Sequence, residues 1–480
     1  MDARPVSCIL PRRQSVEWNR RVDAEFPHGA VQSIWAFSRS PPATLPRQGW
    51  KIHVSCTVLN CNSVLEAVAR TIGPDKIYAK TARRLRDIGK LNAGIFFGYS
   101  QVGKIFTIYP PNTDAFIGIA HALADALVDV DAPAVPFDFI VPTSRCVFYR
   151  YGAFLDSDVI TSPDGQQIPD DRYTCAAPTW APDPFHHALR KASKTPSPDV
   201  FALTPIYKCL AQRGRGGVYL ALDLRSDVVK RVVIKSGRHW GEVDWDGTDG
   251  AQRIQIEAEM LDRLSAIGIA PKPLGLQSGE RGIHLLEEYI EGKLLADAIA
   301  SRQLTAHRSR QGHIIRTISR NLERTHRHRI AWRDLKPHNI ILRQQKVFFV
   351  DFEGAVRVPT RTSPRPWGTP DFAPPEWQAP PRDKASLAHD IYSFGATIER
   401  LIGRRLVDGR YRSSAARPRI DRGYLALVRQ MKARHWIRRP TAQQVVSAVF
   451  RLQKPRRRPA ASHPGRRSHP KITGARHRRP

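Results

Sequence analysis

Four residues between positions 331 and 352 of this 480-residue chain have types and spacing suited to phosphoryl transfer. The segment reads AWRDLKPHNIILRQQKVFFVDF and contains Asp334, Lys336, Asn339 and Asp351. A carboxylate such as Asp334 can accept the proton of an attacking hydroxyl, and a lysine two residues later can neutralise charge on the moving phosphate. An amide and a second carboxylate, Asn339 and Asp351, supply oxygen ligands for Mg²⁺. The segment therefore predicts a site that uses a nucleotide and Mg²⁺.

A short strand is needed to bring the last of these carboxylates to the site. Residues 346–350, KVFFV, are rich in β-formers, so we expect Asp351 at a strand end. This order of loop, strand and acid resembles the catalytic loop and metal-binding strand of the protein kinase superfamily. The resemblance implies a two-lobed fold with ATP and Mg²⁺ as cofactors. It makes Asp334 and Lys336 catalytic and Asn339 and Asp351 metal ligands.

The segment before this loop contains a glycine-rich stretch, QRGRGGVYLALD at 212–223. Gly214, Gly216 and Gly217 would let backbone N–H groups approach phosphate closely. Relative to Val218, only Gly216 falls on the glycine pattern of kinases. We nevertheless predict that all three glycines bind the cofactor.

Three further positions complete the expected nucleotide site. Lys235 ends the strand VVIK and matches the kinase lysine that contacts the α and β phosphates. Glu257 matches its acidic partner, and Glu259 is the alternative. The segment LLEEYIEG resembles the hinge that binds adenine, around Glu288 and Ile290.

The chain departs from the kinase pattern at two places near the catalytic loop. Trp332 stands where a histidine usually precedes Arg-Asp, and Glu353 replaces the glycine after Asp351-Phe352. We expect the aromatic side chain to fill the place of the histidine. Glu353 should restrict movement of the loop or alter metal binding. By the same resemblance, Glu376 would pair with Arg439, and a buried aspartate, Asp390, would brace the catalytic loop.

The N-terminal part of the chain reads as short strands and a few helices, an α+β pattern. In GWKIHVSC at 49–56 apolar residues alternate with Lys51, His53 and Ser55, which therefore share one face of a strand. We also predict strands at 76–78, 103–110 and 146–152, and helices at 63–72, 81–92 and 113–128.

The segments GWKIHVS, SQVGKIFTIYP and FYRYGAF resemble the N-terminal lyase domain of class III lanthipeptide synthetases, whose chemistry is similar to that of phosphothreonine lyase effectors. Such lyases eliminate phosphate from a phosphorylated Ser or Thr side chain and leave a dehydroamino acid. The resemblance implies the following roles: Lys51 as phosphate binder, His53 as general acid, Lys76 as base with Lys80 as the alternative, Tyr109 and Arg150 as phosphopeptide contacts, and Lys104 as a further contact.

Composition sets the broad class of protein. The formal net charge is +32, with 76 Lys and Arg against 44 Asp and Glu. Such a balance indicates an acidic or phosphorylated partner or a nucleic acid, or else a general bias toward arginine. The basic segment 453–480 is expected to be disordered, and it has no aromatic residue that would stack on bases. The cysteines form no CxxC pair, and no signal peptide or membrane span is evident, so we expect a cytoplasmic protein.

These observations predict a lyase-like α+β domain at 1–152, a connector at 153–200, a two-lobed kinase-like domain at 201–452 and a basic tail. The expected function is ATP-dependent phosphorylation of Ser and Thr in a precursor peptide, followed by elimination of the phosphate. Because no cyclase-like segment follows the kinase, ring formation would need a separate cyclase. Two alternatives remain open: a kinase whose N-terminal domain only binds phosphopeptide, and a pseudokinase scaffold.

Overall fold

The computed structural model describes residues 12–453 except 74, 156, 187–202, 302–303, 305–307, 360–365, 379–386, 408–409 and 414–421. It confirms the predicted fold class: an α+β domain precedes a two-lobed kinase domain. The predicted basic tail, apart from Gln453 at the end of the last helix, lies outside the described residues.

Six antiparallel strands form the N-terminal sheet in the order β1-β3-β4-β2-β6-β5. The strands are β1 (Trp35–Phe37), β2 (Gln48–Val54), β3 (Tyr78–Ala82), β4 (Phe106–Tyr109), β5 (Phe139–Ile140) and β6 (Val147–Ala153). The helices are α1 (Arg12–Glu25), α2 (Cys61–Ile72), α3 (Leu85–Ala93) and α4 (Thr113–Ala126). Trp50 and Ile52 point into the core with the helices, where the Trp50 ring lies 5.8 Å from Phe116. The opposite face is left for the polar residues of β2.

Two N-terminal elements differ from the sequence prediction. The strand predicted at 76–78 begins only at Tyr78, because Lys76 occupies a turn with a φ of 50°. The helix predicted at 81–92 begins at Leu85, because residues 78–82 belong to β3 and pair with β4. Both differences change which residues lie in a turn and which lie in the sheet. They place Lys76 in a turn and Lys80 in β3.

The segment after β6 packs back onto the N-terminal domain. It contains a hairpin of β7 (Val159–Thr161) and β8 (Gln167–Pro169). The Tyr149 hydroxyl donates to Asp183 at 2.6 Å, and the Phe185 ring lies 5.7 Å from Phe116. Residues 157–186, which we expected as a connector, therefore cover one side of this domain.

The smaller kinase lobe is a five-stranded antiparallel sheet in the order β12-β13-β11-β10-β9, with one long helix beside it. Its elements are β9 (Ile206–Arg213), β10 (Gly216–Asp223), β11 (Lys230–Arg238), α5 (Gly250–Ser265), β12 (Pro273–Gly279) and β13 (Gly282–Glu288). A capping box starts α5: the Asp249 carboxylate accepts the Gln252 N–H at 2.9 Å, and the Gln252 side chain accepts the Asp249 N–H at 3.1 Å. This cap fixes the start of the helix that carries Glu257.

The larger lobe is mainly helical. Its elements are β14 (Lys293–Leu294), α6 (Leu295–Ala300), α7 (Arg308–Arg327), β15 (Ile330–Ala331), β16 (Ile340–Arg343), β17 (Lys346–Phe349), β18 (Val356–Arg357), α8 (Leu387–Leu401), β19 (Arg404–Val407), β20 (Arg410–Ser413), α9 (Arg422–Met431) and α10 (Ala442–Gln453). The predicted strand before Asp351 is present as β17. Within the described part of the chain, none of the helices combines the length and apolarity that crossing a membrane requires.

Candidate active sites

The catalytic loop holds Asp334 by contacts to both of its carboxylate oxygens. Lys336 Nζ donates to Oδ2 at 2.6 Å, and the Thr369 hydroxyl donates to Oδ1 at 2.9 Å. Asn339 Nδ2 donates to the Asp334 carbonyl oxygen and to Oδ2, each at 3.0 Å. Burial raises the pKa of Asp334, against the charge of Lys336. The arrangement fixes the orientation of this carboxylate, and Thr369 is a partner that the sequence reasoning did not identify.

Asp390 holds the backbone of the catalytic loop. Its carboxylate accepts the backbone N–H of Trp332 at 2.8 Å and that of Arg333 at 2.6 Å. The Trp332 indole N–H donates to the Asp351 carbonyl at 2.9 Å, and its ring stacks on Phe349 and Phe352. Tryptophan therefore fills the place expected for histidine and ties the loop to the strand that precedes Asp351.

Lys235, the lysine predicted to contact the nucleotide phosphates, is held by buried carboxylates. Lys235 Nζ lies 2.5 Å from Glu257 Oε1 and 3.6 Å from Glu287. Burial alone would lower the pKa of Lys235, but these carboxylates and Asp351 outweigh it and raise the pKa. Glu257, not its alternative Glu259, is the partner, because Glu259 is half-exposed and lies near Arg263 instead.

Asn339 and Asp351 fit the role of Mg²⁺ ligands. The Asn339 amide nitrogen is used by Asp334, so its oxygen is left to face a metal. Asp351 has a φ of 68°, and burial is outweighed by Lys235, Lys336 and Arg215, which lower its pKa and keep it ionised. The hinge prediction corresponds to the end of β13 at Glu288 and to the buried Ile290. The donors therefore suit a metal-bound nucleotide.

The glycine-rich stretch forms the β9–β10 hairpin, with Gly216 opposite Arg213 in the register and Gly217 opposite Gln212. Gly216 has a φ of 152°, and a Cβ there would lie 1.7 Å from the Ser236 carbonyl oxygen, so only glycine fits. The Gly214 N–H is donated to the Ala93 carbonyl of the N-terminal domain at 3.0 Å. That N–H is therefore not directed at a phosphate, in contrast to the role predicted for Gly214.

Glu353, which replaces the kinase glycine, has a partner in the hairpin. Its carboxylate accepts a hydrogen bond from the Arg215 guanidinium, and Arg215 also lies 3.6 Å from Glu242. Burial raises the pKa of Glu353, against the charge of Arg215. The pair joins the loop after Asp351 to the hairpin tip, which agrees with the expectation that Glu353 restricts this loop. The predicted Glu376–Arg439 pair is also present and bidentate, at 2.5 and 2.8 Å.

In the N-terminal domain, Lys51, His53, Lys104 and Arg150 are all buried. Lys51 pairs with Arg150 across the β2–β6 register, so both side chains lie on the face that also carries His53. Two buried acids separate these cations. Arg150 lies 2.6 Å from Asp170, and Lys51 lies 3.7 Å from it.

The second acid, Asp138, sits between His53 and Lys104. Its Oδ2 lies 2.5 Å from His53 Nδ1, and its Oδ1 lies 3.0 Å from Lys104 Nζ. Because the Asp138 carboxylate accepts the hydrogen bond from Nδ1, the Nε2 atom of His53 remains available to a substrate. Sequence reasoning identified the basic residues but not Asp138 or Asp170. A signal was available, since Asp138 is the single charged residue in the apolar run VPFDFIV at 135–141, and an acid buried in such a run needs a partner.

Burial controls the charge state of this cationic cluster. It lowers the pKa of Lys51 to about 7, and neighbouring Arg150 and Lys104 act in the same direction against Asp170. Burial also lowers the pKa of His53 to about 3 despite Asp138. Burial thus favours the neutral forms of Lys51 and His53, and a phosphate dianion bound beside them would favour the protonated forms.

This charge state predicts a pH dependence for phosphopeptide binding. Below pH 7 Lys51 already carries its proton, whereas above pH 7 binding must take up a proton, because the bound phosphate raises the lysine pKa. Affinity should therefore fall by up to about tenfold per pH unit above 7. Calorimetric titration with a phosphoserine peptide between pH 6 and 9 measures this slope.

Lys51→Arg should flatten the slope, because arginine keeps its charge. Lys90→Arg is the matched control, since Lys90 lies on α3 with Asp87 3.6 Å away. Equal slopes in the parent protein and in Lys51→Arg would contradict the assignment.

The remaining predicted residues divide between this face and other places. Lys80 pairs with Thr107, which pairs with His53, so these three side chains form one row on the sheet. Tyr109 lies on the same face and packs against Tyr78, with ring centroids 5.3 Å apart. Lys76 is exposed in its turn and lines a separate cavity with residues of α1 and α2. Lys80 thus shares the sheet face of His53, with its ammonium 4.4 Å from the centroid of the Trp35 ring, whereas Lys76 lies in a turn outside that face.

Comparisons with known proteins agree with this two-part organisation. Residues 17–197 match the family described as RamC, N-terminal domain, and residues 210–463 match the protein kinase domain family. The chain is 28% identical over 386 residues to a probable SapB synthase of Streptomyces coelicolor, covering 75% of this chain and 40% of that protein. It is 31% identical over 204 residues to the serine/threonine-protein kinase PknA of a Nostoc species, covering 40% of this chain and 35% of that kinase.

The chain thus spans less than half the length of these curated relatives. The kinase match covers more than half of this chain and contains the Lys235–Glu257 pair and the Asp334 loop. The chain therefore belongs to the protein kinase family and carries a RamC N-terminal domain in front of its kinase domain.

Proposed function

We propose that this protein dehydrates Ser and Thr residues of a peptide in two steps, phosphorylation by the kinase domain and phosphate elimination by the N-terminal domain. The observation that supports the proposal best is the buried cluster of Lys51, His53 and Arg150 on one sheet face, which Lys104 joins through Asp138. Such a set of cations suits a phosphate dianion. The same chain carries Lys235, Glu257, Asp334, Asn339 and Asp351, kinase-type residues that could produce a phosphorylated side chain.

In the first step, Asp334 orients the attacking hydroxyl and takes its proton, while Lys336 neutralises charge on the phosphoryl group as it moves. Lys235, held by Glu257, contacts the nucleotide phosphates. Mg²⁺ held by Asn339 and Asp351 would supply charge neutralisation between the phosphates. The hydroxyl oxygen gains the phosphoryl group and the nucleotide leaves as a diphosphate.

In the second step, a base removes the Cα proton, the Cα–Cβ double bond forms and the Cβ–O bond to phosphate breaks. Inorganic phosphate leaves, and His53, which takes up a second proton when the phosphate dianion binds, donates that proton to it from Nε2. Lys51, Lys104 and Arg150 stabilise the charge that grows on the phosphate oxygens. Asp138 holds the His53 ring in place from Nδ1. The net reaction converts the phosphopeptide into a dehydropeptide and inorganic phosphate.

Lys80 is the base that the sheet geometry favours. It lies in the row with Thr107 and His53, whereas Lys76 is exposed in a turn. Lys80→Met should lower the elimination rate by about 10²–10⁴-fold, the usual contribution of a general base. Lys76→Met is the matched comparison and should stay within about twofold of the parent, because an exposed side chain outside the cluster contributes little. The elimination rates of the two variants on a synthetic phosphopeptide decide between the two lysines. A large loss in Lys76→Met with a parental rate in Lys80→Met would assign the role of base to Lys76.

Mass spectrometry of a Ser- and Thr-rich peptide, incubated with the full chain and Mg-ATP, tests the proposal. Loss of one water per modified residue supports both steps. Retained phosphate would leave the kinase step intact and make the N-terminal domain a phosphopeptide-binding module. A synthetic phosphopeptide added without ATP isolates the second step, and its failure to lose phosphate would defeat the lyase part.

A further inference from the structure

The tip of the β9–β10 hairpin, residues 213–216, is in backbone contact with the N-terminal domain. The Gly214 N–H donates to the Ala93 carbonyl oxygen at 3.0 Å. A Cβ on Gly214 would lie 1.6 Å from the Asn92 carbonyl oxygen, and a Cβ on Gly94 would lie 3.1 Å from the Gly214 nitrogen. Two glycines more than a hundred residues apart therefore permit a contact that no larger residue would allow.

The kinase domain holds the same tip from the other side. The Arg215 carbonyl accepts the Arg238 N–H at 2.8 Å, and a Cβ on Gly250 would lie 2.0 Å from that carbonyl oxygen. The Arg215 side chain reaches Glu353 and Glu242, as described above. The tip thus lies between the two domains, with close backbone contacts on both sides.

Side chains extend this junction beyond the hairpin. The Arg238 guanidinium lies 4.8 Å from the ring centroid of Tyr99 in the N-terminal domain, and Tyr99 packs edge-on against Phe137. Trp245, from the loop before α5, packs against the N-terminal core. The contact is therefore a surface that includes two flanking segments of the smaller kinase lobe.

The position of the tip matters for the nucleotide. Along β10, Val218 lies only two residues after Gly216 and is directly opposite Lys235 in the register. A shift of the tip would move the strand that covers the nucleotide beside Lys235. Undocking of the N-terminal domain would remove the contacts on one side of this tip and leave only those to the kinase domain.

We propose that the N-terminal domain forms a structural part of the kinase's nucleotide site, with Gly214 as a positioning residue that acts through the hairpin. The inference rests on the kinase half of the proposed function. It assigns the N-terminal domain a task in the first reaction step, in addition to its own chemistry in the second. If the hairpin tip loses its contact with the N-terminal domain, nucleotide binding should therefore weaken even though every kinase residue is unchanged.

The test is Gly214→Ala in the full chain, with Mg-ATP affinity measured by calorimetry. The added methyl group collides with Asn92, so the dissociation constant should rise about 5- to 150-fold, the usual range of coupling between sites. The phosphorylation rate at saturating Mg-ATP should change much less, because no reacting group is altered. Gly89→Ala is the matched control: it lies on α3 and its Cβ would meet no atom within 4 Å.

Hydrogen exchange at residues 92–94 reports whether the junction has opened. Faster exchange with unchanged Mg-ATP affinity in Gly214→Ala would overturn the inference. If that variant does not fold, Tyr99→Ala decides the question from the N-terminal side: it removes the contact with Arg238 and should weaken Mg-ATP binding. Unchanged affinity in Tyr99→Ala would then overturn it. Absence of Mg-ATP binding by the unaltered chain would defeat the proposed kinase function itself, which is a distinct outcome.

Discussion

Replacing Asp334 with asparagine is expected to lower the rate of peptide phosphorylation by about 10²–10⁴-fold. The substitution keeps the size of the side chain but removes the carboxylate that would take the hydroxyl proton. Lys336 and Thr369 both donate to this carboxylate, so the loss also disturbs a charge-assisted network. The effect is measured as the single-turnover rate at which radiolabelled phosphate is transferred from ATP to a Ser- and Thr-rich peptide.

Nucleotide binding separates this prediction from simple unfolding. Asp334→Asn should bind Mg-ATP nearly as well as the parent, because the Lys235–Glu257 pair is untouched. Asp262→Asn, an exposed acid on α5, is the matched control and should transfer phosphate at the parental rate. An Asp334→Asn variant that transfers phosphate normally would refute the assigned role. If the parent itself binds Mg-ATP without any transfer, the pseudokinase alternative is supported.

Replacing His53 with asparagine is expected to stop elimination while phosphorylation continues. Asparagine can still donate to Asp138, so the buried acid keeps a partner, but it cannot deliver a proton to the leaving phosphate. The elimination rate should fall by about 10²–10⁴-fold. The full reaction with Mg-ATP should then accumulate phosphopeptide in place of the dehydrated product, and mass spectrometry resolves the two.

The control for this change is His28→Asn, an exposed histidine in the same domain, which should leave the dehydrated product unchanged. Circular dichroism and thermal melting of His53→Asn confirm that the domain remains folded. Normal dehydration by a folded His53→Asn protein would exclude His53 as the general acid. Equal loss of phosphorylation and elimination would instead point to a defect in the kinase domain or in the junction with it.

The two substitutions together divide the proposed reaction at its intermediate. A mixture of Asp334→Asn and His53→Asn proteins should restore dehydration, because one supplies elimination and the other phosphorylation. Dehydration is restored only if the phosphopeptide leaves the His53→Asn protein and binds the Asp334→Asn protein. The dehydrated fraction should therefore rise with protein concentration. This distinguishes free diffusion of the intermediate from direct transfer within one chain.

Much of the kinase site was predictable because its residues lie close together in the chain. Asp334, Lys336 and Asn339 fall within six positions, and a short β-rich run carries the chain to Asp351. Local spacing and strand propensity are enough to bring such residues together. Thr369 was not found, because its contact with Asp334 spans a separation of 35 residues. Glu257 and Glu259 could be separated only once the face of α5 that meets Lys235 was known.

The lyase-like site shows the limit of sequence periodicity more clearly. Alternation in β2 was sufficient to place Lys51 and His53 on one face, since side chains in a strand point to alternate sides. The pairing of Lys51 with Arg150 depends on strand register, and Asp138 and Asp170 come from separate later segments. A positive φ at Lys76 starts β3 two residues later than predicted, which leaves Lys76 in a turn and is the reason that we propose Lys80 as the base.

The sequence by itself determined the fold class, the order of the two domains and the chemical character of both sites. It could do so because periodicity and short motifs depend on residues near one another in the chain. Only the tertiary structure decided that Lys80 joins the row of His53, that two buried acids hold the cations, and that Gly214 contacts the other domain. Those outcomes depend on register and on the docking of distant segments, which local patterns do not encode.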